Sequence, residues 1–401
     1  MENYNITFKH LNNNNANLRR DDVKRVLVIY EEKIFYLGDA CILFDKIKYI
    51  KTLFQNSIVD LNFINDKRLP LYNAFLKNNP HLNSMNALKW DEIEFINYDL
   101  IICVTFKEKE LLHYLHTRYS LVGEENLINF GIVSLSKDVM WTGFQGDFIF
   151  QRINELPDYY DIEVLPYELY LSIEERNWAD QWLENNGIQN DEKLFILLDS
   201  SSEREKILNL PEYFELLEWI LNIPNVKVLI FDEKDIGKEE FYKEWLGAKK
   251  TQKLIFSKKL SLRQDLCLIG SRYTRFVFGP CTGLMHCASG IFNNIFKTNL
   301  SQTLYKQSNA PILITYTGKY KGEGNGAQAW WGNSPMVNCL MLRSLNGNKR
   351  IFLLHKLSVD NMNNSYELPC NEYEAKDLIN IFENEFEIRK YSKVGEKTIV
   401  I

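Results

Sequence analysis

The stretch RFVFGPCTGLMHCASG, residues 275–290, joins an apolar run (Phe276, Val277, Phe278) through a small-residue turn to a helical pattern opening at Thr282-Gly283. A strand, a tight turn and a helix start of this kind aim unpaired backbone N–H groups and the positive end of a helix dipole at one spot, where a phosphate can sit. Gly283 permits close approach, because a Cβ there would push a ligand away. Thr282 can cap the helix or donate to a ligand oxygen. His286, three residues after Gly283, falls on the ligand side of the turn, although a hydrogen-bonded core histidine would suit the same position. An ordinary capped helix with nothing bound uses the same residues.

A second anion candidate is DSSSEREK, residues 199–206, which follows the apolar run Leu194 to Leu198. Ser201, Ser202 and the backbone could hold phosphate oxygens while Lys206 or Arg204 neutralises them. Alone, the segment also reads as a plain polar loop. Both loops would lie at the carboxyl edge of one parallel sheet, where α/β domains bind ligands, and two phosphate-type loops on one edge suggest a nucleotide diphosphate. Nearer the start, Leu37-Gly38-Asp39 reads as the turn between a strand and a helix, so Asp39 is either a helix cap or a carboxylate at the ligand edge. Glu233 could reach a ribose hydroxyl, or be a plain loop acid. Glu110, His113 and His116 have a spacing that can bind metal but lack further ligands, and Cys281 and Cys287 flank His286 at a spacing that resembles no common zinc pattern. Trp330 and Trp331 read as packing aromatics or as a platform for a ring.

Alternating strands and helices are needed to position these loops. Val26 to Tyr30, Ile58 to Ile64 and Asp99 to Phe106 read as buried parallel strands. Between them Ile42, Leu43, Ile47, Ile50, Leu53 and Phe54 recur at helical spacing. After an aromatic, aperiodic crossing from Gly146 to Leu171, a helix from about Ile173 to Asn185 closes at Gly187. The pattern then resumes: strands Leu194 to Leu198, Val226 to Phe231, Lys253 to Phe256, 276–278 and the ILITY run, with helices Pro211 to Leu221, near Lys238 to Leu246 and Leu262 to Ile269. A late amphipathic helix covers Glu372 to Phe386. The expected domains are 23–170 and 171–370, with residues 1–22, rich in Asn, a disordered or irregular lead-in, and 371–401 a helix and tail able to pack back on the first domain.

The chain has 401 residues, enough for two cores, and a formal charge of −6 without long basic clusters, which argues against a nucleic-acid groove. No apolar run approaches the roughly 20 residues of a bilayer span, and the N-terminus lacks a signal-peptide core. Seven scattered cysteines without a CxxC pair fit reduced thiols, and with the missing leader they suggest a cytoplasmic protein.

Taken in order, four stretches resemble glycosyltransferase family 9, the bacterial lipopolysaccharide heptosyltransferases: VLVIY with YLGDA, DSSSEREKILNLPEYFELLEWI, FVFGPCTGLMHCASG, and APILITYTG followed by Trp330-Trp331-Gly332. The segment LPYELYLSIEERNWADQWL also resembles that family's link between domains. The resemblance implies an α/β GT-B fold of two facing, doubly wound Rossmann-like domains with a cleft between them. It implies an inverting, metal-independent transfer of a heptose-like sugar from a nucleotide diphosphate, ADP-linked by preference and without a cofactor, to a glycan, lipid-linked or protein acceptor. Membrane contact would be at most peripheral, at the inner face. Position by position, Asp39 matches the general base, with Gly38 beside it. Lys206, with Ser201 and Ser202, matches the lysine that holds the donor's phosphates. Thr282, Gly283 and His286 match the diphosphate-binding Asp-Thr/Ser-Gly-x-x-His turn, and Glu233 and Cys281 are further candidate donor contacts. The motif's acidic residue is Cys281 here, and Leu198-Asp199-Ser200 replaces its glycine-rich segment. A GT-B sugar-nucleotide epimerase and a catalytically silent binding protein are the alternatives.

Overall fold

The unbroken apolar runs of the sequence become strands buried on both faces of two parallel sheets. The structure, a computed structural model, describes residues 5–30, 37–64, 69–104, 113–120, 128–134, 151–152, 166–201, 203–232, 234–296, 310–320, 327, 331 and 334–389, with the backbone alone at 5–9, 12, 39, 42–43, 45–46, 104, 120, 134 and 151–152. The chain divides into two compact units, Met1–Tyr167 and Glu168–Ile401, three residues earlier than the expected border.

In the first unit β1 (Arg25–Tyr30), β2 (Ile58–Phe63), β3 (Ser84–Asn86), β4 (Leu100–Val104), β5 (Gly131–Ser134) and β6 (Gln151–Arg152) form one parallel sheet in the order 3-2-1-4-5-6. That is the doubly wound nucleotide-binding order. Val26, Val28 and Ile29 in β1 and Leu100 to Cys103 in β4 are fully buried, which is why these strands read as continuous apolar runs rather than alternating ones. Helix α2 (Leu37–Leu53) lays Ala40, Phe44, Ile47, Ile50 and Leu53 into the core. It already includes Leu37, so Gly38 and Asp39 lie in its first turn and not in a turn ahead of it. An acid there meets the positive helix end without breaking the helix.

The Asn-rich lead-in is also different from expectation. Residues 1–22, read as disordered or irregular, include helix α1 (Asn5–Asn17). The Asn15 amide accepts from the N–H of Ile132 and donates to its carbonyl, both at 2.9 Å, as a second peptide would. Asn14 donates to the carbonyls of Ile128 (2.7 Å) and Phe130 (3.0 Å). Side-chain amides carry a donor and an acceptor each, so this polar run is held by the backbone it pairs with.

The second unit repeats the order. Its strands are β7 (Lys193–Leu197), β8 (Val226–Asp232), β9 (Leu254–Lys258), β10 (Thr274–Pro280), β11 (Ile312–Thr317), β12 (Val337–Leu345), β13 (Asn348–Leu353) and β14 (Ser365–Glu367). The sheet runs 13-12-11-10-7-8-9, parallel from β9 to β12, with β13 and β14 antiparallel to β12. Five helices connect or flank the parallel strands: α3 (Ile173–Asn185), α4 (Leu210–Leu221), α5 (Lys238–Thr251), α6 (Leu262–Ile269) and α7 (Gly283–Phe296). Ser172 and Ser261 open α3 and α6 with capping boxes to Glu175 and Gln264. Pro211 stands in the first turn of α4, where its missing N–H costs nothing.

The last described helix, α8 (Ala375–Asn384), was read as able to pack back on the first domain. Instead Leu378 and Phe382 are fully buried in the second unit's own core, Phe382 edge-on to Phe276 (5.4 Å) and Phe278 (5.1 Å). Its apolar stripe matches the aromatic face of β10, and Tyr373 beside it donates toward the carbonyls of Thr317 (2.8 Å) and Leu340 (3.0 Å). Among the described residues, no helix is long and apolar enough to cross a membrane.

Candidate functional site

Strand order reverses between β7 and β10: from β7 the chain steps to β8 and β9, then crosses to β10 on the other side. The carboxyl edge at such a switch point is the place where a ligand crevice opens. Both loops expected to bind an anion leave from it. Phe278 is opposite Leu197, and the N–H of Leu198 donates to the Phe278 carbonyl at 2.8 Å. Gly279 makes this closeness possible, because a Cβ there would come within 2.4 Å of Leu198 Cβ and 2.8 Å of its carbonyl oxygen.

After β10 the N–H of Cys281 donates to the Tyr316 carbonyl (3.1 Å), which fixes the turn against the end of β11. The Thr282 carbonyl accepts from Met285 (3.1 Å) and His286 (3.2 Å) and so starts α7 through its backbone. Its side chain does not complete the cap. Thr282 Oγ1 is buried and has no hydrogen-bond partner among the described residues. A buried unpaired hydroxyl costs about 1–3 kcal/mol.

The β7 loop turns through a short 3-10 segment, Arg204–Lys206. Ser201 Oγ is used locally, accepting from the Glu203 N–H at 3.4 Å. Lys206 lies with Nζ 4.3 Å from the centre of the Tyr320 ring and makes no ion pair among the described residues. Tyr320, which sequence reasoning did not single out, holds the ammonium by its π face, an interaction that does not cancel its charge. The signal in the sequence was weak: a tyrosine two residues past Gly318 in a Gly-rich loop.

His286 is stacked on Trp331, with ring centres 4.2 Å apart at 14°. Desolvation, and then the nearby Lys206 charge, lower its pKa from 6.5 to about 4, so it is neutral at pH 7. Burial raises the Cys281 thiol above its ordinary range, against smaller opposing effects from the Trp331 indole and Lys206, so Cys281 is also neutral. Among the described residues the turn thus presents N–H groups, an unpartnered hydroxyl and a nearby cation, and no negative charge of its own.

The other expected residues fall elsewhere. Asp39 and Gly38 belong to the first unit, and of the Asp39 side chain nothing is described. Ser202, Glu233, Trp330 and Gly332 lie outside the described residues. Asp232 is occupied by the loop ahead of α5, accepting from the backbone N–H groups of Ile236 (3.0 Å) and Lys238 (3.3 Å), and Asp235 pairs with Lys259 at 3.0 Å. His113 and His116 join no ligand cluster among the described residues.

No protein-family model matches the chain, and no curated protein matches its sequence. Among solved structures, the chain is similar to the ADP-heptose lipopolysaccharide heptosyltransferase II of E. coli, with 13% identity over 90% of this chain and 99% of that one and a TM-score of 0.54. The chain has a GT-B fold. Further matches are a glycosyl transferase of family 9 from Veillonella parvula (12% identity, 73% of this chain and 80% of that one, TM-score 0.47) and the E. coli heptosyltransferase WaaC with ADP (13%, 92% and 100%, 0.45). The fold expected from the resemblance to family 9 is therefore found, with a Rossmann-type strand order in each unit.

Proposed function

We propose that this chain is an inverting, metal-independent glycosyltransferase that moves a heptose-like sugar from a nucleotide-diphosphate donor, ADP-linked by preference, to a glycan, lipid-linked or protein acceptor. The observation that carries this reading is the buried Thr282 hydroxyl at the start of α7, unpartnered among the described residues, on the same sheet edge as Lys206, which makes no ion pair among the described residues. The buried hydroxyl is costly to leave unpaired, and a diphosphate would answer both it and the ammonium. Backbone N–H groups of the α7 first turn and the helix dipole add to the same seat.

In the proposed reaction the acceptor oxygen attacks the anomeric carbon as the bond to the diphosphate breaks, and the centre inverts. Asp39 takes the acceptor's proton, and Lys206, Thr282 and the N-terminus of α7 stabilise charge growing on the departing diphosphate. Neutral His286 can donate one N–H to a phosphate oxygen without adding charge. The fold shared with an ADP-heptose heptosyltransferase supports the donor class. In the cell the enzyme would act in the cytoplasm, peripherally at the inner face of the membrane where the acceptor is lipid-linked.

A thermal-shift panel of ADP-, GDP-, UDP- and CMP-sugars tests the donor, because a ligand at a hundred times its Kd adds about 2.7 kcal/mol of apparent stability. Stabilisation by one nucleotide diphosphate family is expected, and no shift with any of them refutes the reading. The neutral thiol of Cys281, where the family carries an acid, favours a second reading: a nucleotide-binding protein without turnover. Binding of a donor with neither transfer to a glycan acceptor nor hydrolysis would select it.

A further inference from the structure

Lys206 and Tyr320 come from loops that do not follow neighbouring strands. Lys206 follows β7 and Tyr320 follows β11, and in the sheet β10 lies between those two strands. The 4.3 Å contact of Lys206 Nζ with the Tyr320 ring therefore spans the end of β10, where the turn of Cys281 and Thr282 begins. The lysine charge acts to lower the pKa at three points around that strand end: His286 in the first turn of α7, Cys281 in the turn, and Cys370, which packs beside Gly318. A four-carbon stem on a loop does not point there by itself. Left alone it spreads over many rotamers in solvent, and holding it in one costs about 1.5–2 kcal/mol of side-chain entropy.

The ring is placed from the far side of the sheet edge. The Lys319 N–H donates to the Leu368 carbonyl at 2.8 Å, and Lys319 is bridged in parallel to Pro369. Leu368 in turn donates to the Leu342 carbonyl of β12 at 2.9 Å. Gly318 makes this packing possible, because a Cβ there would come within 2.4 Å of the Leu368 carbonyl oxygen and 3.0 Å of the Cys370 nitrogen. The backbone next to Tyr320 is thus fixed by contacts that do not involve Lys206.

We propose that Tyr320 is a positioning residue, whose ring aims the Lys206 ammonium at the diphosphate seat before a ligand arrives; this rests on the donor reading above. A carboxylate could aim the lysine equally well but would offset the charge that the ligand meets, whereas a ring face attracts an ammonium and leaves its field intact. A side chain ordered in the free protein has less freedom to lose when the ligand binds, which favours binding.

The test is calorimetry on the full chain with inorganic pyrophosphate and with ADP, on the wild type, Tyr320→Phe, Tyr320→Leu, Lys206→Ala and the Lys206→Ala/Tyr320→Leu double variant. Tyr320 is half-buried at the sheet edge, so its truncation leaves the core of the unit in place. Tyr320→Leu should weaken both ligands by the same factor, about three- to tenfold, and Tyr320→Phe, which keeps the ring face, should stay within about twofold of the wild type. In the Lys206→Ala background Tyr320→Leu should cost nothing further, because the ring acts through the lysine. An NMR titration supplies a readout that a merely structural role would not move: the His286 pKa of about 4 should rise in Tyr320→Leu and stay in Tyr320→Phe. Gly318→Ala, which pushes the loop off Leu368 with Tyr320 intact, should raise it as well. Equal losses in the Phe and Leu variants overturn the proposal, since the phenol oxygen would then touch the ligand. So does a loss confined to ADP, which would mean that the ring stacks on the nucleoside, and so does a loss that persists without Lys206 or a fixed His286 pKa. Each of these leaves the diphosphate seat standing. Binding of neither pyrophosphate nor ADP by the wild type overturns the donor reading and this role with it.

Discussion

Thr282→Val separates a ligand-binding hydroxyl from a structural one, because the two roles predict opposite signs. Valine keeps the branched shape and removes Oγ1, the atom that is buried and unpartnered among the described residues. If that hydroxyl waits for a phosphate oxygen, its removal relieves an unmet desolvation cost of about 1–3 kcal/mol in the free protein. For a unit the size of Glu168–Ile401, each kcal/mol corresponds to about 2–4 °C in Tm. The ligand-free variant should therefore melt higher than the wild type. Its affinity for a nucleotide diphosphate should fall about ten- to hundredfold, the worth of a hydrogen bond to a charged group. Were Thr282 an ordinary N-cap, the same change would lower stability by about 1 kcal/mol and leave affinity alone. Scanning fluorimetry and calorimetry read the two quantities. A lower Tm without ligand, or an unaltered Kd, refutes the role.

His286 gives a pH test. Its folded pKa of about 4 lies below the ordinary 6.5, so between those values the unfolded chain binds a proton that the folded chain refuses. The stabilisation is complete above about pH 6.5 and is lost as pH falls toward 4, by at most about 3 kcal/mol; denaturant midpoints of wild type and His286→Gln should converge over this interval, and a constant difference would refute it. Lys206→Ala should raise the His286 pKa in an NMR titration and weaken nucleotide diphosphate binding, and a fixed pKa would mean that the lysine charge does not reach the ring. Gly279→Ala should lower Tm by several degrees, since its Cβ would meet Leu198 at 2.4 Å; an unchanged Tm would show that the two loops have room to separate. Asp39→Asn should abolish transfer while leaving donor binding nearly intact, with unchanged turnover removing it as the base.

Much of the parallel framework could be read from local pattern. VLVIY, the strand before DSSSEREK and FVFGP are apolar at every position, as strands covered on both faces must be, and their helices show period 3.6. Elements held by distant partners were not readable in this way. The Asn14-Asn15 pair looks like low complexity until Ile128 to Ile132 supplies the peptides that it binds. The β12–β13 hairpin did carry a local signal, the Asn346-Gly347 pair with positive φ at both residues (52° and 77°), which is the two-residue turn that twisted hairpins prefer. Within the site, the glycine, threonine and lysine could be found from spacing, whereas Tyr320 and the Tyr316 carbonyl could not. They matter through contacts across the sheet edge, which no window of sequence contains.

Cys281, which stands where the family that the sequence resembles has an acid, has a physical meaning in this setting. At an effective dielectric of about 20, a charge pair 4 Å apart interacts by about 4 kcal/mol, so a carboxylate beside Lys206 would compensate much of its field before any ligand arrived. The thiol is kept neutral by burial, and His286 is kept neutral by burial and by Lys206 itself. Lys206 is then held by the Tyr320 ring, an interaction that orients an ammonium without cancelling its charge. Three neutral neighbours around one cation, with an unanswered hydroxyl at a helix start, form a seat whose attraction for a doubly charged group is stronger than in a site with its own acid. What such a site gives up is a negative group to orient a sugar or to repel a competing anion. On the proposed reading, donor choice then rests more heavily on contacts beyond the phosphates.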